Sequence, residues 1–313
     1  MPPNNLDDYL SSYCCIYYFT DYIRQHGNSI SFPAKGQSWV ILTDIESQIK
    51  EKIENIGRPL KEWDINIYRG ILTGCNEAFI INKQKRDELI KKDKTSAEII
   101  RPILRGRDIK RYGYDFADQY IIATFPSKKY DIDKYPAIRD YLLDIGKKKL
   151  EQSGKPGARK KTKHKWFETQ DPINYWDDFS KQKITWGNLN LSASYSLVPA
   201  NMFINAPSTM IVPGDKFLLG VLNSKLADYY IRNLGVTRNG GYFEYKPMFI
   251  EQMPVPPPTH IIKKNIEQLV SEIIRLKNNQ KDFSRVDFML NNSINKLYQL
   301  SEVEIEFMNS YKI

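Results

Sequence analysis

Histidines, cysteines and one Glu-x-Lys tripeptide are the residues of this chain whose types are most often found in catalytic or metal sites. The histidines are His26, His164 and His260, and the cysteines are Cys14, Cys15 and Cys75. None of them is spaced from another as zinc ligands are. Glu244-Tyr245-Lys246 matches one half of a metal-dependent nuclease site, but no upstream carboxylate is placed to hold Mg²⁺ with it. The pattern predicts no metal site and no catalytic residue.

The cysteines and the first residues indicate the compartment. An odd number of cysteines, two of them adjacent, is typical of reduced thiols. The segment Met1–Asp8 lacks the basic and apolar regions of a signal peptide. No apolar stretch approaches the length of a membrane span. We therefore expect a soluble, cytoplasmic protein.

Positive charge is concentrated in one window of the chain. The net charge is +9, and residues 147–165 contain nine basic residues against a single acidic one, Glu151. Gly154, Pro156 and Gly157 interrupt this window and predict a loop. Such a cluster on an otherwise neutral chain favours contact with nucleic-acid phosphates, and a solvated loop is the alternative. The candidates for DNA contact in it are Lys155, Arg159, Lys160, Lys161, Lys163 and Lys165.

Polar residues in two turns are the candidates for reading bases. They are Asn188, Asn190, Ser192 and Tyr195 in an Asn-rich turn, and Arg238 and Asn239 ahead of Gly240-Gly241. An asparagine amide bonds bidentately to adenine in the major groove, whereas an Asn-rich turn that bonds its own backbone is the alternative. Arg105 and Arg107, beside Gly106, either clamp phosphates or brace a neighbouring loop.

Periodicity and turn residues predict the elements that position these candidates. In the first half they predict a helix over 43–56, strand, turn and strand over 63–79, a charged helix over 83–92, a strand over 120–125 and a helix from Pro136. In the second half they predict strands over 183–187, 195–198, 202–204 and 209–212, a helix over 216–232 and a strand over 242–245.

The C-terminal part of the chain differs from the rest in composition and in its predicted elements. Pro254–Pro258 holds four prolines and predicts a stiff linker. Two apolar stripes at helical spacing follow it, and Ser301 with Glu304 predicts a capped third helix. The predicted fold class is α+β, with a strand-rich body, flanking helices and a C-terminal helical hairpin.

Two glycine-punctuated motifs, taken together, resemble the target-recognition domain of TaqI-type adenine methyltransferases and of fused type IIG restriction–modification enzymes. Residues 68–79 read Tyr-Arg-Gly-Ile-Leu-Thr-Gly-Cys-Asn-Glu-Ala-Phe, and residues 101–112 read Arg-Pro-Ile-Leu-Arg-Gly-Arg-Asp-Ile-Lys-Arg-Tyr. In that family this domain reads DNA sequence while a separate domain carries out the chemistry. The resemblance implies that residues 1–38 are a seam with a missing catalytic domain, 39–252 the target-recognition domain, 253–258 a linker and 259–313 a helical element.

The family's catalytic motifs are missing from this chain. It has no glycine-rich S-adenosylmethionine loop, and Asp171-Pro172-Ile173-Asn174-Tyr175 lacks the paired prolines of the adenine-holding motif. The resemblance therefore implies a double-stranded DNA-binding module without its own cofactor. S-adenosylmethionine and Mg²⁺ are expected for the missing catalytic domains. The alternative is a separate specificity subunit or an interaction module that docks a methylase through its C-terminal helices.

Overall fold

The computed structural model describes residues 42–311, and the boundary between the two units of the chain lies between residues 52 and 53. Of the first unit only residues 42–52 are described, so the predicted seam lies outside the described residues. The predicted first helix is confirmed as α1, Asp44–Ile56. Its capping box is also present, because the Thr43 amide donates to Glu46 Oε2 at 2.8 Å and the Glu46 amide donates back to Thr43 Oγ1 at 3.4 Å.

The remaining elements belong to the second unit. Its described helices are α2 (Asn76–Phe79), α3 (Lys83–Lys92), α4 (Pro136–Leu150), α5 (Lys216–Leu222), α6 (Lys225–Arg232), α7 (Pro247–Ile250), α8 (His260–Asn278), α9 (Ser284–Leu297) and α10 (Glu302–Ser310). Its described strands are β1 (Arg58–Pro59), β2 (Asn66–Arg69), β3 (Ile80–Asn82), β4 (Ile100–Leu104), β5 (Ile109–Lys110), β6 (Gly113–Tyr114), β7 (Gln119–Ile122), β8 (Lys183–Trp186), β9 (Leu189–Asn190), β10 (Tyr195–Val198), β11 (Phe203–Ile204), β12 (Thr209–Val212), β13 (Phe243–Glu244) and β14 (Pro254–Val255).

Two four-stranded sheets form the body of this unit. One has the order β10-β8-β12-β2 and is antiparallel throughout. The other has the order β11-β4-β7-β3, in which β11 and β4 are parallel. All residues of β8 and β12 are buried, as expected of strands covered on both faces. The fold is α+β, as predicted.

Two local predictions fail where a side chain bonds to backbone, nearby in the first case and far along the chain in the second. The second strand predicted within 63–79 is instead the short helix α2, because Thr73 Oγ1 accepts from the Cys75 amide at 3.1 Å and turns the chain. The single helix predicted over 216–232 breaks after α5. There the Asn223 side chain bonds both backbone groups of Tyr195 at 3.0 Å, and Ser224 caps α6.

The proline-rich segment begins as a strand and not as a linker. β14 pairs antiparallel with β1, with Val255 opposite Arg58. Val255 is fully buried, and the Tyr298 hydroxyl donates to the Pro254 carbonyl oxygen at 2.7 Å. The prediction of a stiff linker is therefore wrong for its first two residues.

The C-terminal helices pack on the body of the second unit. Their apolar stripes meet each other and α5, and Ile266, Val270 and Leu290 lie around Gly220. These three side chains are fully buried. The apolar stripes that suggested a partner-docking surface thus pack against other helices of the same chain. Within the described part of the chain, no helix is both long and apolar enough to cross a membrane.

Candidate nucleic-acid interface

The two turns predicted to read bases lie side by side, because each leads into one strand of a two-stranded antiparallel ribbon. β9 pairs with β13, with Phe243 opposite Asn190. The Tyr245 amide extends this pairing by donating to the Asn188 carbonyl oxygen at 2.8 Å. We call residues 187–192 and 237–244 the paired loops. They bring together Asn188, Asn190, Ser192, Arg238 and Asn239.

Arg232 holds the paired loops together from beneath. This residue ends α6 and is 9 % exposed. Its Nη1 donates to the Leu191 carbonyl oxygen at 3.0 Å, and its Nη2 donates to the Gly241 carbonyl oxygen at 3.1 Å. Because one rigid, planar guanidinium bonds to both loops, its position sets their separation.

A buried carboxyl group extends this support. Asp228, one helical turn before Arg232, accepts from the Tyr245 hydroxyl at 2.6 Å. Its Oδ2 has no hydrogen-bond partner within residues 42–311. Burial raises the pKa of Asp228, against the lowering effect of the Tyr245 hydrogen bond. The ribbon therefore rests on a polar network in which α6 contacts both strands.

The basic window forms an ordered loop, residues 151–165, which we call the basic loop. Arg159 is buried at its centre and donates to the carbonyl oxygens of Leu150, Thr73 and Trp166 at 2.8, 2.9 and 2.7 Å. Gln152 Nε2 donates to the carbonyl oxygens of Lys165 and Glu168 at 3.2 and 3.1 Å. These bonds fold the loop around two buried polar side chains.

The lysines of the basic loop point to solvent. The exposed ones are Lys155, Lys160, Lys161, Lys163 and Lys165. No hydrogen bond or ion pair joins this loop to the paired loops in the described part of the chain. The candidate residues thus fall in two groups that no hydrogen bond or ion pair connects in residues 42–311, one cationic and one mixed polar and apolar.

The turn at residues 105–108 borders the Asn-rich turn. Arg105 bonds bidentately to Asp108, with Nε and Nη2 each 2.9 Å from a carboxylate oxygen. Burial alone would raise the pKa of Asp108, but the hydrogen bonds from Arg105 lower it. A Cβ atom built on Gly187 would lie 3.4 Å from the Gly106 carbonyl oxygen, so the two turns are in contact. Arg107 is exposed beside them.

Comparison with known proteins identifies the segment that contains these surfaces. Residues 101–255 match the model of the family described as "TaqI-like C-terminal specificity domain". These residues, just under half of the chain, are similar to a TaqI-like C-terminal specificity domain. The match includes the basic loop, the 105–108 turn and both paired loops.

One solved structure shows a similar fold. A structure of the type IIL restriction–modification enzyme MmeI in complex with DNA aligns with a TM-score of 0.58 and 13 % identity over 82 % of this chain. The chain spans 37 % of the length of that protein. The type IIG restriction endonuclease BpuSI aligns with a TM-score of 0.48 and 15 % identity, over 81 % of this chain and 33 % of that one.

Two residues predicted to contact DNA are buried inside the specificity domain, and these predictions are corrected. Arg159 is 5 % exposed because its guanidinium satisfies backbone carbonyl groups. Tyr195 is fully buried, with its ring 5.3 Å from that of Trp186. Neither side chain is available to a ligand at the surface.

Two further candidates are occupied by local contacts. Asn190 Nδ2 donates to the Gly187 carbonyl oxygen at 2.7 Å, which is the turn-bracing alternative. Arg105 braces its own turn through Asp108 in the same way. Arg238 stays 60 % exposed although it pairs with Glu244 at 3.0 Å.

Within residues 42–311, no three His, Cys, Asp or Glu side chains are grouped so as to hold a metal ion.

Neither the residues that support the paired loops nor the apolar outward face of these loops was predicted from the sequence. Arg232 and Asp228 belong to an apolar helical pattern, and their roles depend on contacts with loops far along the chain. A signal for the outward face was present, because Leu189-Asn190-Leu191 alternates as a strand does. The two leucines point away from the core, where a solvent-facing residue is usually polar.

Proposed function

We propose that this chain recognises a specific double-stranded DNA sequence, as the specificity domain of a bacterial restriction–modification enzyme. The observation that carries this proposal is the position of the paired loops within residues 101–255, the segment that matches the specificity-domain family. The fold likeness to MmeI, whose structure was determined with DNA, supports it.

The two surfaces suit two different tasks in DNA binding. The exposed lysines of the basic loop attract the phosphate backbone of any sequence. The paired loops carry Asn188, Ser192, Arg238 and Asn239, whose side chains suit hydrogen bonding to base edges. We therefore assign non-specific affinity to the basic loop and sequence discrimination to the paired loops.

The parent enzyme, in this proposal, is a type IIG or related adenine-N6 DNA methyltransferase, with or without endonuclease activity. Its methyltransferase domain or subunit binds S-adenosylmethionine, and Mg²⁺ serves any cleavage step. This chain holds the duplex while the methylase rotates an adenine out of the stack. By itself it neither methylates nor cuts.

Selection of DNA followed by binding measurements tests the proposal. A random duplex pool is enriched on the purified chain, and the dissociation constant of the selected site is compared with that of a scrambled duplex. We expect enrichment of one sequence and at least a tenfold preference for it. A chain that enriches no sequence, or that binds both duplexes equally, contradicts the proposal.

Calorimetry tests the assignment of the chemistry to another domain. We expect no heat of binding when S-adenosylmethionine is added to the isolated chain. Measurable binding of the cofactor would mean that the chain contains a methyltransferase site.

A further inference from the structure

The ribbon formed by β9 and β13 has one buried face and one apolar face exposed to solvent. Phe243 and Tyr245 lie on the buried face and are at most 1 % exposed. Leu189, Leu191 and Tyr242 lie on the other face and are 51 %, 53 % and 40 % exposed. Because side chains alternate along a strand, the ribbon presents these three side chains together.

Glu244 also lies on this face, directly opposite Leu189, and two cations neutralise its carboxylate. Glu244 Oε2 lies 2.8 Å from Lys246 Nζ and 3.0 Å from the Arg238 guanidinium. These two cations lower the pKa of Glu244, the hydrogen bond from Lys246 more than that from Arg238. Two cations against one carboxylate leave a net positive charge, and Arg107 lies exposed on the neighbouring turn. The outward face thus combines three apolar side chains with a charged group of net positive charge around Glu244, which suits a polyanion.

We propose that the outward face of this ribbon enters the major groove and that Leu189 and Leu191 contact the C5-methyl groups of thymines. This inference rests on the proposed function. The major groove is about 12 Å wide and admits a two-stranded ribbon. Among the base edges exposed there, only thymine offers an apolar group. Contact with a methyl group removes apolar surface of both partners from water, whereas contact of leucine with a phosphate or amide group desolvates that polar group without giving it a hydrogen bond.

The tight support of the ribbon strengthens the inference. Arg232 bonds the Leu191 carbonyl oxygen directly, so the backbone that carries this leucine is fixed before DNA arrives. A methyl contact discriminates between bases only where the side chain is held in place. Thymine positions therefore belong to the recognised sequence, and Leu189 and Leu191 are specificity-determining residues.

Replacement of thymine by deoxyuridine removes the methyl group and leaves base pairing intact. The selected site is synthesised with each thymine replaced in turn, and binding is measured by fluorescence anisotropy. For the wild-type chain we expect the affinity to fall roughly fourfold at one or two thymines, since one buried methyl group contributes about that factor. In Leu189→Ala or Leu191→Ala, the deoxyuridine penalty at the contacted thymine should disappear.

Leu143→Ala is the matched control, because Leu143 is 41 % exposed on α4, outside the ribbon. It should keep the full deoxyuridine penalty, and melting temperatures should show that all three variants are folded. The inference is wrong if the selected site contains no thymine, if the wild-type chain ignores the substitution, or if both leucine variants keep the penalty. Absence of any selected site would instead overturn the proposed function, and this inference with it.

Discussion

Neighbouring cationic residues of the basic loop have different roles. Lys160 and Lys161 are exposed, whereas Arg159 beside them is buried and bonds three backbone carbonyl groups. The sequence alone groups these residues, since composition does not reveal which side chain closes a loop. The basic character of the loop could be predicted. The residue that organises it depends on Thr73, far away along the chain, and could not.

Arg159→Met should loosen the basic loop. Burial lowers the pKa of Arg159 to about 10, but the guanidinium remains a cation at neutral pH and forms charged hydrogen bonds. Its loss leaves three carbonyl groups without a donor, at a cost on the order of 3 kcal/mol in the free energy of unfolding. Urea unfolding measures this cost, and trypsin should cleave the loop faster. Lys160→Met is the control, and equal stability of the two variants would contradict the assignment.

Lys183 should make the free energy of unfolding rise with pH in the alkaline range. Its fully buried ammonium group donates to the Phe179 and Pro199 carbonyl oxygens, and burial lowers its pKa from 10.5 to about 8. Above pH 8 the unfolded chain binds more protons than the folded chain at this site, so stability rises with pH. Between pH 8 and pH 10 this site should add about 2 kcal/mol to the free energy of unfolding.

Lys183→Met should abolish that rise, as measured by urea unfolding at several pH values. Lys181→Met, a change at an exposed lysine nearby, should keep it. A rise that persists in Lys183→Met would assign the effect to another group.

At the scale of elements, local signals located most helices and strands. α1 and α3 follow from capping residues and periodicity, and β8, β10 and β12 follow from short apolar runs between turn residues. Two of the failures have non-local causes, whereas the short helix α2 follows a local contact between Thr73 and Cys75. Asn223 breaks a continuous helical pattern because it pairs with Tyr195, and Pro254 enters a strand because β1 lies beside it.

The same distinction applies to the candidate site. The two turns could be predicted from their residues, but their pairing requires β9 and β13 to meet. Arg232 then joins them, although nothing in its helix indicates this.

Arg232→Lys should reduce sequence discrimination more than affinity. Lysine keeps the positive charge but lacks the planar fork that bonds both Leu191 and Gly241. Loosened loops lose base contacts, so binding of the selected site should weaken by about tenfold while scrambled DNA binds as before. Arg275→Lys, at an exposed arginine on α8, is the control. Equal weakening on both duplexes would show that Arg232 does not act through base reading.

Neutralising the basic loop should reduce affinity for DNA and leave sequence discrimination unchanged. If Lys155, Lys160, Lys161 and Lys163 each contact a phosphate, their joint change to glutamine should lower affinity for all sequences alike. The slope of log K against log salt should decrease by about 3 to 4. As a control for net charge, the same change is made at Lys91, Lys94, Lys264 and Lys281, which are also exposed. If both quadruple variants have the same slope, phosphate contact lies elsewhere.

At the scale of the whole molecule, the C-terminal helices belong to the same fold as the surfaces that we assign to DNA. α8 packs on α5, α9 packs on α8 and on α6, and α6 carries Arg232 and Asp228. α6 is therefore the element that connects the packing of the C-terminal helices with the paired loops. This connection distinguishes the packed tail from the free docking element that its apolar stripes suggested.

Gly220→Val tests that packing. A Cβ atom on Gly220 would lie 2.9 Å from Val270 Cγ2 and 3.0 Å from Ile266 Cγ2, so a valine cannot fit unless α8 moves. Overpacking of this kind costs about 1–3 kcal/mol. Thermal unfolding should show a lower melting temperature in one cooperative transition, because body and tail unfold together. Gln268→Val, at an exposed position of α8, controls for the effect of a branched residue in a helix. A separate early transition of the helices alone would show that they fold independently of the body.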